Sequence, residues 1–323
     1  MDDEILKRAY KREKARRKQA EVKLEEKSRE LYLSYEKLEE SNLQLKQMLE
    51  KQQKQQEELT KLINSYTSVK DDLELAAALQ SDLLPNPIET TTYAACGYFQ
   101  PAQFIAGDAF DYFMLSESVF AFYIIDVEGH GTASAMTSFA IHSQLNPKTD
   151  GTCNRNLLNH SSHAQAVCAT VNDLNSTFYS PESNGKYFTM IYGLLDLTNG
   201  RLTWCQAGHP ALMILSNSKA IEIGSGGFPV GILDEPGFEA SESIINPGDR
   251  LAIYSDGIPE CYNEQSGFFG KDKLNDLLLQ SSDASLQQST AEVRDAILEW
   301  NGDNEFRDDV TLLLIDYIAP IPR

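Results

Sequence analysis

Val119-Phe120-Ala121-Phe122-Tyr123-Ile124-Ile125-Asp126-Val127-Glu128-Gly129-His130-Gly131 is an apolar run that stops at an aspartate and opens into a glycine turn. The run is far too short to cross a bilayer and is rich in β-branched and aromatic residues, so it predicts a buried strand over Val119–Val127. A carboxylate at the end of such a strand is costly unless it is paired or ligates a cation. Three more aspartates stand in comparable settings: Asp108 in Ala106-Gly107-Asp108, Asp256 in Tyr254-Ser255-Asp256-Gly257, and Asp308 in Asp308-Asp309-Val310-Thr311. Asp111 is a rival to Asp108, since Gly-Asp is also a common turn. Mg²⁺ and Mn²⁺ take oxygen ligands, so four carboxylates at strand ends and glycine turns point to a metal-dependent enzyme.

Outward from that stretch, strands are expected at Tyr187–Leu197, Arg201–Gln206, Ala211–Leu215, Arg250–Tyr254 and Val310–Tyr317. Helices are expected at about Ser134–Leu145, Ala164–Phe178, Lys271–Leu279 and Leu286–Trp300. Short turns such as Thr198-Asn199-Gly200 join consecutive strands, which favours antiparallel meanders over βαβ crossovers. The fold class expected is therefore α+β, with two sheets face to face and helices outside them.

Residues 1 to about 80 hold no proline or glycine and are dominated by Lys, Glu, Gln, Leu and Ala. Leu24, Leu31, Leu38 and Leu45 recur every seventh residue, and Leu59, Tyr66 and Leu73 resume that register after a break at Gln52. The companion positions are mixed and include Ser28, Tyr35 and Asn42, the pattern of a coiled coil of modest stability and low oligomer number. A parallel homodimer is expected. The stretch Leu73–Leu84 is more apolar and ends at Pro85 and Pro87, so the helix leaves its partner there and docks on the following domain. The organisation expected is a coiled coil over 1–74, a linker helix and proline turn over 75–92, and the catalytic domain over 93–323.

The formal charge of −20 is unevenly spread: residues 1–74 carry 17 basic and 17 acidic side chains, leaving 11 and 31 for residues 75–323. That excess of acid argues against nucleic-acid phosphates as a partner. Five cysteines without a CxxC pair fit reduced thiols. With no apolar segment long enough to span a bilayer and a polar N-terminus, a cytoplasmic protein is expected.

Residues from about 75 to 323 resemble the PPM-type metal-dependent serine/threonine phosphatases, in the bacterial subgroup of the SpoIIE and RsbU phosphatases. The resemblance rests on Leu83-Leu84-Pro85, Gly107-Asp108, Asp126-Val127-Glu128-Gly129-His130-Gly131, Ala207-Gly208-His209-Pro210, Gly248-Asp249-Arg250-Leu251, Tyr254-Ser255-Asp256-Gly257 and Asp308-Asp309-Val310-Thr311, all in the family's order. It implies an αββα sandwich with two Mn²⁺ or Mg²⁺ ions between the sheets. Asp126 resembles the carboxylate shared by both ions, the Val127 carbonyl a further ligand, and Asp108, Asp256 and Asp308 the remaining carboxylates, with Asp309 as the neighbouring alternative to Asp308. Two such ions activate a water for in-line phosphoryl displacement, so no protein nucleophile is needed. The chain departs from the wider family at Gln103, where many members carry a phosphate-gripping arginine, and at Glu128, where the wider family has histidine. His130 and His209 are open as participants. Gly224-Ser225-Gly226-Gly227 reads as a loop, not a phosphate cradle.

The resemblance further implies a phosphorylated STAS-type anti-sigma-factor antagonist as substrate. The helix feeding the domain suggests control by an upstream sensor or response regulator acting on the coiled coil. A catalytically silent adaptor is the competing reading, which loss of a metal carboxylate would favour; none of the four is lost. A nucleotidyl cyclase would require purine- and triphosphate-binding residues that the chain does not display.

Overall fold

The computed structural model describes residues 2–129, 131–146, 152–181, 187–224, 226–302 and 304–321. The chain forms two compact units, Met1–Asp71 and Asp72–Arg323. The first unit is helical throughout. Its helix, α1 (Asp2–Leu83), presents the heptad leucines to solvent, with Leu24 and Leu31 each 73% exposed. No helix among the described residues is long and apolar enough to cross a membrane.

The second unit contains the last turns of α1 and then, in chain order, β1 (Ile88–Glu89), β2 (Tyr93–Gln100), β3 (Ala109–Met114), β4 (Val119–Val127), α2 (Thr132–Leu145), α3 (Thr152–Asn159) and α4 (His163–Phe178). There follow β5 (Phe188–Asp196), β6 (Arg201–Ala207), β7 (Leu212–Ser216), β8 (Lys219–Ile223), β9 (Ala240–Ile244) and β10 (Arg250–Tyr254). A small hairpin, β11 (Tyr262–Asn263) with β12 (Gly267–Phe268), precedes α5 (Lys271–Gln280), α6 (Leu286–Asn301) and β13 (Val310–Tyr317). The strands and helices expected from the sequence are all present within a residue or two. The strands β1, β2, β3, β8 and β9, the β11–β12 hairpin and helix α3 are additional.

Two antiparallel sheets result, one ordered β1-β2-β13-β10-β7-β8 and the other β3-β4-β5-β6-β9. Side chains alternate along a strand, so each strand feeds two layers. In β4 the residues Phe120, Phe122 and Ile124 face the space between the sheets, and they meet Leu251, Ile253, Leu313 and Ile315 from the opposing sheet. The intervening Ala121, Tyr123 and Ile125 pack outward on Ile141, Leu145, Val171 and Leu174 of α2 and α4. On the far side Ala252, Tyr254, Leu312 and Leu314 pack on Leu274, Leu278, Val293 and Ile297 of α5 and α6. Burial on both faces explains why β4 reads as a continuous apolar run. The sandwich is αββα, as expected.

Local signals set the helix ends. Ser162 caps α4 by accepting from the Gln165 amide, and Ser285 caps α6 by accepting from the Gln288 amide. The α6 helix stops at Gly302, whose φ of 62° suits glycine. Arg250 binds the α5–α6 connection to the sheet. Its guanidinium donates to both Asp316 carboxylate oxygens at 2.6 and 3.0 Å, to the Ser281 and Ala284 carbonyls at 3.2 and 2.9 Å, and to Ser289 Oγ at 2.7 Å. Replacing it strands a half-buried carboxylate and several acceptors. Arg250→Ala is expected to lower stability by about 3–5 kcal/mol, measured by urea unfolding, with Arg250→Lys intermediate because lysine cannot reproduce the planar fork.

Candidate metal centre

The alternation that builds the core also builds the site. In β4 the inward series Phe120, Phe122, Ile124 continues to Asp126, and in β3 the inward series read backwards from Tyr112 and Phe110 arrives at Asp108. From the opposing sheet, the inward series Ile315, Leu313 of β13 arrives at Thr311 and then Asp309. Three strand ends therefore send polar side chains into one end of the space between the sheets. Thr311 Oγ1 donates to Asp108 Oδ2 at 2.6 Å, a direct link between the sheets. Asp256 follows β10 in the loop beside them.

Close backbone approach needs glycine here. A Cβ on Gly107 would stand 2.8 Å from the Val127 carbonyl oxygen, so that carbonyl lies against the Gly107-Asp108 turn. A Cβ on Gly257 would fall 2.0 Å from the Asp309 carbonyl oxygen. The loops carrying Asp108 and Asp256 thus press against their neighbours with no room for a side chain.

Asp308 and Asp309 take opposite roles. Asp309 is 3% exposed, and its Oδ1 accepts from the Ala102 amide at 2.7 Å while its Oδ2 accepts from the Gly107 amide at 2.7 Å. Its backbone carbonyl accepts from Ser255 Oγ, which in turn accepts from the Thr311 amide at 3.0 Å. Both carboxylate oxygens of Asp309 are engaged in holding loops. Asp308 is exposed, and among the described residues it accepts only from the Asp309 amide, at 2.8 Å.

The carboxylates lie within each other's field. Burial, then Asp126 and Asp309, hold Asp108 well above the usual carboxylate range. Burial, then Asp256, Asp308 and Asp309, push Asp126 up to about 7. Burial, then Asp308 and Glu260, push Asp256 up to about 6. Among the described residues no three His, Cys, Asp or Glu side chains converge on a single point at ligating distance. The acids gather within electrostatic range of one another. A hard-oxygen donor set that disfavours its own ionisation, with the Val127 carbonyl beside it, fits divalent cations of the Mg²⁺ or Mn²⁺ type. Asp111 stands apart: its carboxylate accepts from the Tyr112 amide at 2.7 Å and acts on Tyr123 and Cys153 on the helical side of the sheet.

His209 is buried, and its Nδ1 lies 2.8 Å from Thr189 Oγ1, the residue paired with Asp126 across β4 and β5. Burial pushes its pKa down to about 3, so the imidazole is neutral and braces the sheet end. His130 lies outside the described residues, as does Ser225 of the glycine loop. Gln103 is exposed and its Oε1 lies 3.8 Å from where a Gly131 Cβ would stand, beside the loop that follows Asp126, and it adds no charge there.

Sequence reasoning did not find Gln80. This side chain, 5% exposed near the end of α1, donates to the Ala106 carbonyl at 2.9 Å and accepts from the Ala106 amide at 3.0 Å. It clamps the backbone two residues before Asp108. The one available signal was an amide side chain set in the apolar stretch Leu79–Leu84.

Two outcomes are expected. Asp309→Ala leaves the Ala102 and Gly107 amides without acceptors, so it should cost about 2–4 kcal/mol in urea unfolding and abolish Mn²⁺ binding by calorimetry. Asp308→Asn keeps the bond to the Asp309 amide; it should leave stability within about 0.5 kcal/mol while weakening Mn²⁺ binding. The raised carboxylate pKa values also set a pH dependence. Folded-state values above the unfolded ones give stability that is fully present below about pH 4 and is lost as pH rises through about 6 and 7. The cation-free protein should therefore melt at a lower temperature at pH 8 than at pH 5, and Mn²⁺ should reverse the loss. Equal melting temperatures at both pH values without cation would contradict the clustering.

The amino-acid sequence and the fold both have relatives. The phosphoserine phosphatase RsbP of Bacillus subtilis is 24% identical over 254 residues, covering 77% of this chain and 58% of RsbP. Protein IcfG of Synechocystis is 25% identical over 262 residues, covering 76% of this chain and 41% of IcfG. The chain thus spans about half the length of these two relatives. Among solved structures, the SiaA-PP2C domain of Pseudomonas aeruginosa superposes with a TM-score of 0.66 at 18% identity, covering 78% of this chain and 98% of that domain. The second unit has the PP2C fold. Residues 116–318 match the family described as Stage II sporulation protein E (SpoIIE), and the chain belongs to that family.

Proposed function

We propose that the chain is a metal-dependent serine/threonine protein phosphatase whose substrate is a phosphorylated regulatory protein. The observation that carries this reading is the gathering of Asp108, Asp126, Asp256 and Asp308 at one end of the sandwich, where Asp126 raises the pKa of Asp108, Asp256 and Asp308 raise that of Asp126, and Asp308 raises that of Asp256. In this reading Asp126 serves both of two Mn²⁺ or Mg²⁺ ions, and Asp108, Asp256, Asp308 and the Val127 carbonyl complete the set. When bound, the ions supply an activated water and take up charge on the attacking and leaving oxygens of phosphoryl displacement. The chain's own residues position and exclude. Thr311 orients Asp108, Asp309 holds the Ala102–Gly107 loop, and neutral His209 keeps the β5 end in place. Asp308, and not Asp309, is the last ligand in this reading, because both Asp309 oxygens are already engaged by backbone amides.

Similarity to RsbP, named a phosphoserine phosphatase, supports the reaction class. A STAS-type anti-sigma-factor antagonist is the substrate we propose. The exposed leucine series of α1 supports a parallel coiled-coil homodimer, and an upstream sensor or response regulator acting on that coiled coil would supply the input. The clamp from Gln80 to Ala106 gives such an input a physical route: displacement of the helix end releases the backbone that carries Asp108.

Two measurements test this. Inorganic phosphate should be released from a phosphoserine STAS-type protein only with Mn²⁺ or Mg²⁺, and Asp126→Asn should lower the rate by at least about 10³-fold. Hydrolysis without metal, or undiminished in the variant, would sink the two-metal reading, and failure of the wild type to bind Mn²⁺ would favour the adaptor. Deleting residues 1–70 should abolish dimerisation in sedimentation and alter the rate; unchanged rate and metal affinity would end the proposed control through the helix.

A further inference from the structure

The end of the sandwich that holds Asp126 is bordered by a segment with no part in the carboxylate cluster, residues 226–235. Val230 and Phe188 exchange both backbone hydrogen bonds, at 2.9 and 3.1 Å, and Phe188 pairs with Val127 across the other edge of β5. Val230 therefore lies two strand spacings, roughly 10 Å, from the residue that follows Asp126. Glu128 above all, then burial and Asp126, hold the Tyr187 phenol above its usual range. Tyr187 directly precedes Phe188, so this border lies within the field of the acids.

Side chains from the neighbouring elements fix the backbone of this segment. Asn175 of α4, 1% exposed, accepts from the Gly231 amide at 2.8 Å and donates to the Leu233 and Asp234 carbonyls at 3.0 and 3.1 Å. Gln206 of β6 accepts from the Gly226 amide at 2.8 Å and donates to the His209 carbonyl at 2.7 Å. Pro229 lies against Gly208, where a Cβ would stand 2.8 Å from its Cγ. Yet Phe228, Ile232 and Leu233 are 55, 43 and 40% exposed. Apolar side chains left in water by a backbone held this firmly mark a surface that a partner covers. A loop already fixed also loses little conformational entropy on being covered.

The charge around these side chains narrows the partner. From Ala220 to Asp249 the chain has no lysine, arginine or histidine, and Asp234, Glu235 and Glu239 are exposed on that stretch. A protein that covers Phe228, Ile232 and Leu233 must therefore bring basic side chains to the edge of its own apolar patch. A symmetric contact between two copies of this chain would instead set the same acids against one another. A protein substrate that presents a phosphorylated serine to the ions passes directly over this border.

We propose that Phe228, Ile232 and Leu233 form the docking surface for the phosphorylated protein substrate, whose contacting face is apolar and edged by basic side chains. This rests on the reading of the chain as a protein phosphatase with its ions at Asp126. The test compares turnover of a phosphoserine STAS-type protein with that of p-nitrophenyl phosphate, which is too small to reach the segment, using full-length protein with Mn²⁺. Phe228→Ser combined with Leu233→Ser should lower kcat/KM for the phosphoprotein by about 10- to 100-fold, chiefly through KM. Turnover of p-nitrophenyl phosphate should stay within about twofold, with Mn²⁺ affinity by calorimetry unchanged. Asp234→Asn combined with Glu235→Gln should raise the phosphoprotein KM by a smaller factor and weaken its dependence on salt; a lower KM would overturn the basic edge. Equal losses on both substrates, or an unchanged phosphoprotein KM in the Phe228 and Leu233 variant, would overturn the docking surface. Wild-type protein that hydrolyses p-nitrophenyl phosphate alone would overturn the phosphoprotein substrate and the surface with it. Wild-type protein that hydrolyses neither would instead overturn the underlying reading of the carboxylates.

Discussion

The carboxylate of Asp309 is the interaction on which the site depends. It is buried at the end of β13 and takes the amides of Ala102 and Gly107, one on each oxygen. Through its own carbonyl it meets Ser255 Oγ and packs against Gly257. One residue therefore fixes the loop before Asp108 and the loop around Asp256, which belong to different sheets. Burial pushes the Asp309 pKa up, and the amide donors aimed at its carboxylate offset part of that cost. Its rigidity is what allows the neighbouring acids to be held at a distance they would not choose for themselves.

The sandwich supplies the rest of that constraint. Aromatic and aliphatic side chains from facing strands fill the space between the sheets, from Phe110, Phe120 and Phe122 to Leu251 and Leu313. Apolar burial on this scale is the main favourable term in folding, and it can offset the repulsion of a few clustered carboxylates at one edge. The polar end of the same layer is where alternation continues after the apolar residues stop. Asp126 is thus the next inward position of a core strand, and its raised pKa is the consequence of sharing the low-dielectric environment of Ile124.

Gln80 extends this logic to the helix that precedes the domain. The residue sits among Leu79, Leu83 and Leu84, yet it is the one whose polar atoms are matched, both to Ala106. A side chain that satisfies two backbone groups of a buried loop is an expensive one to withdraw, since both groups would be left without partners. The helix end and the Asp108 loop consequently behave as one element.

Much of this was legible in the residues alone. The apolar run ending at Asp126, the Gly-Asp turn at Asp108 and the Asp256-Gly257 pair are local patterns whose chemistry does not depend on distant chain. The sheet-forming segments and outer helices follow from period-two and period-3.6 alternation, which burial enforces. The strands β2 and β3 were not read: Tyr93–Gln100 is mostly small or polar and owes its burial to a partner far along the chain, the β13 strand, and Ala109–Met114 is a short run interrupted by Asp111 directly after the Gly107-Asp108 turn. The same limit applies to Asp308 and Asp309. In sequence they are adjacent acids of equal standing. Only the packing of β13 against the Ala102–Asp108 loop turns one inward to receive amides and leaves the other outward toward Asp126 and Asp256, because the parity of a strand acquires meaning only when the opposing sheet is in place.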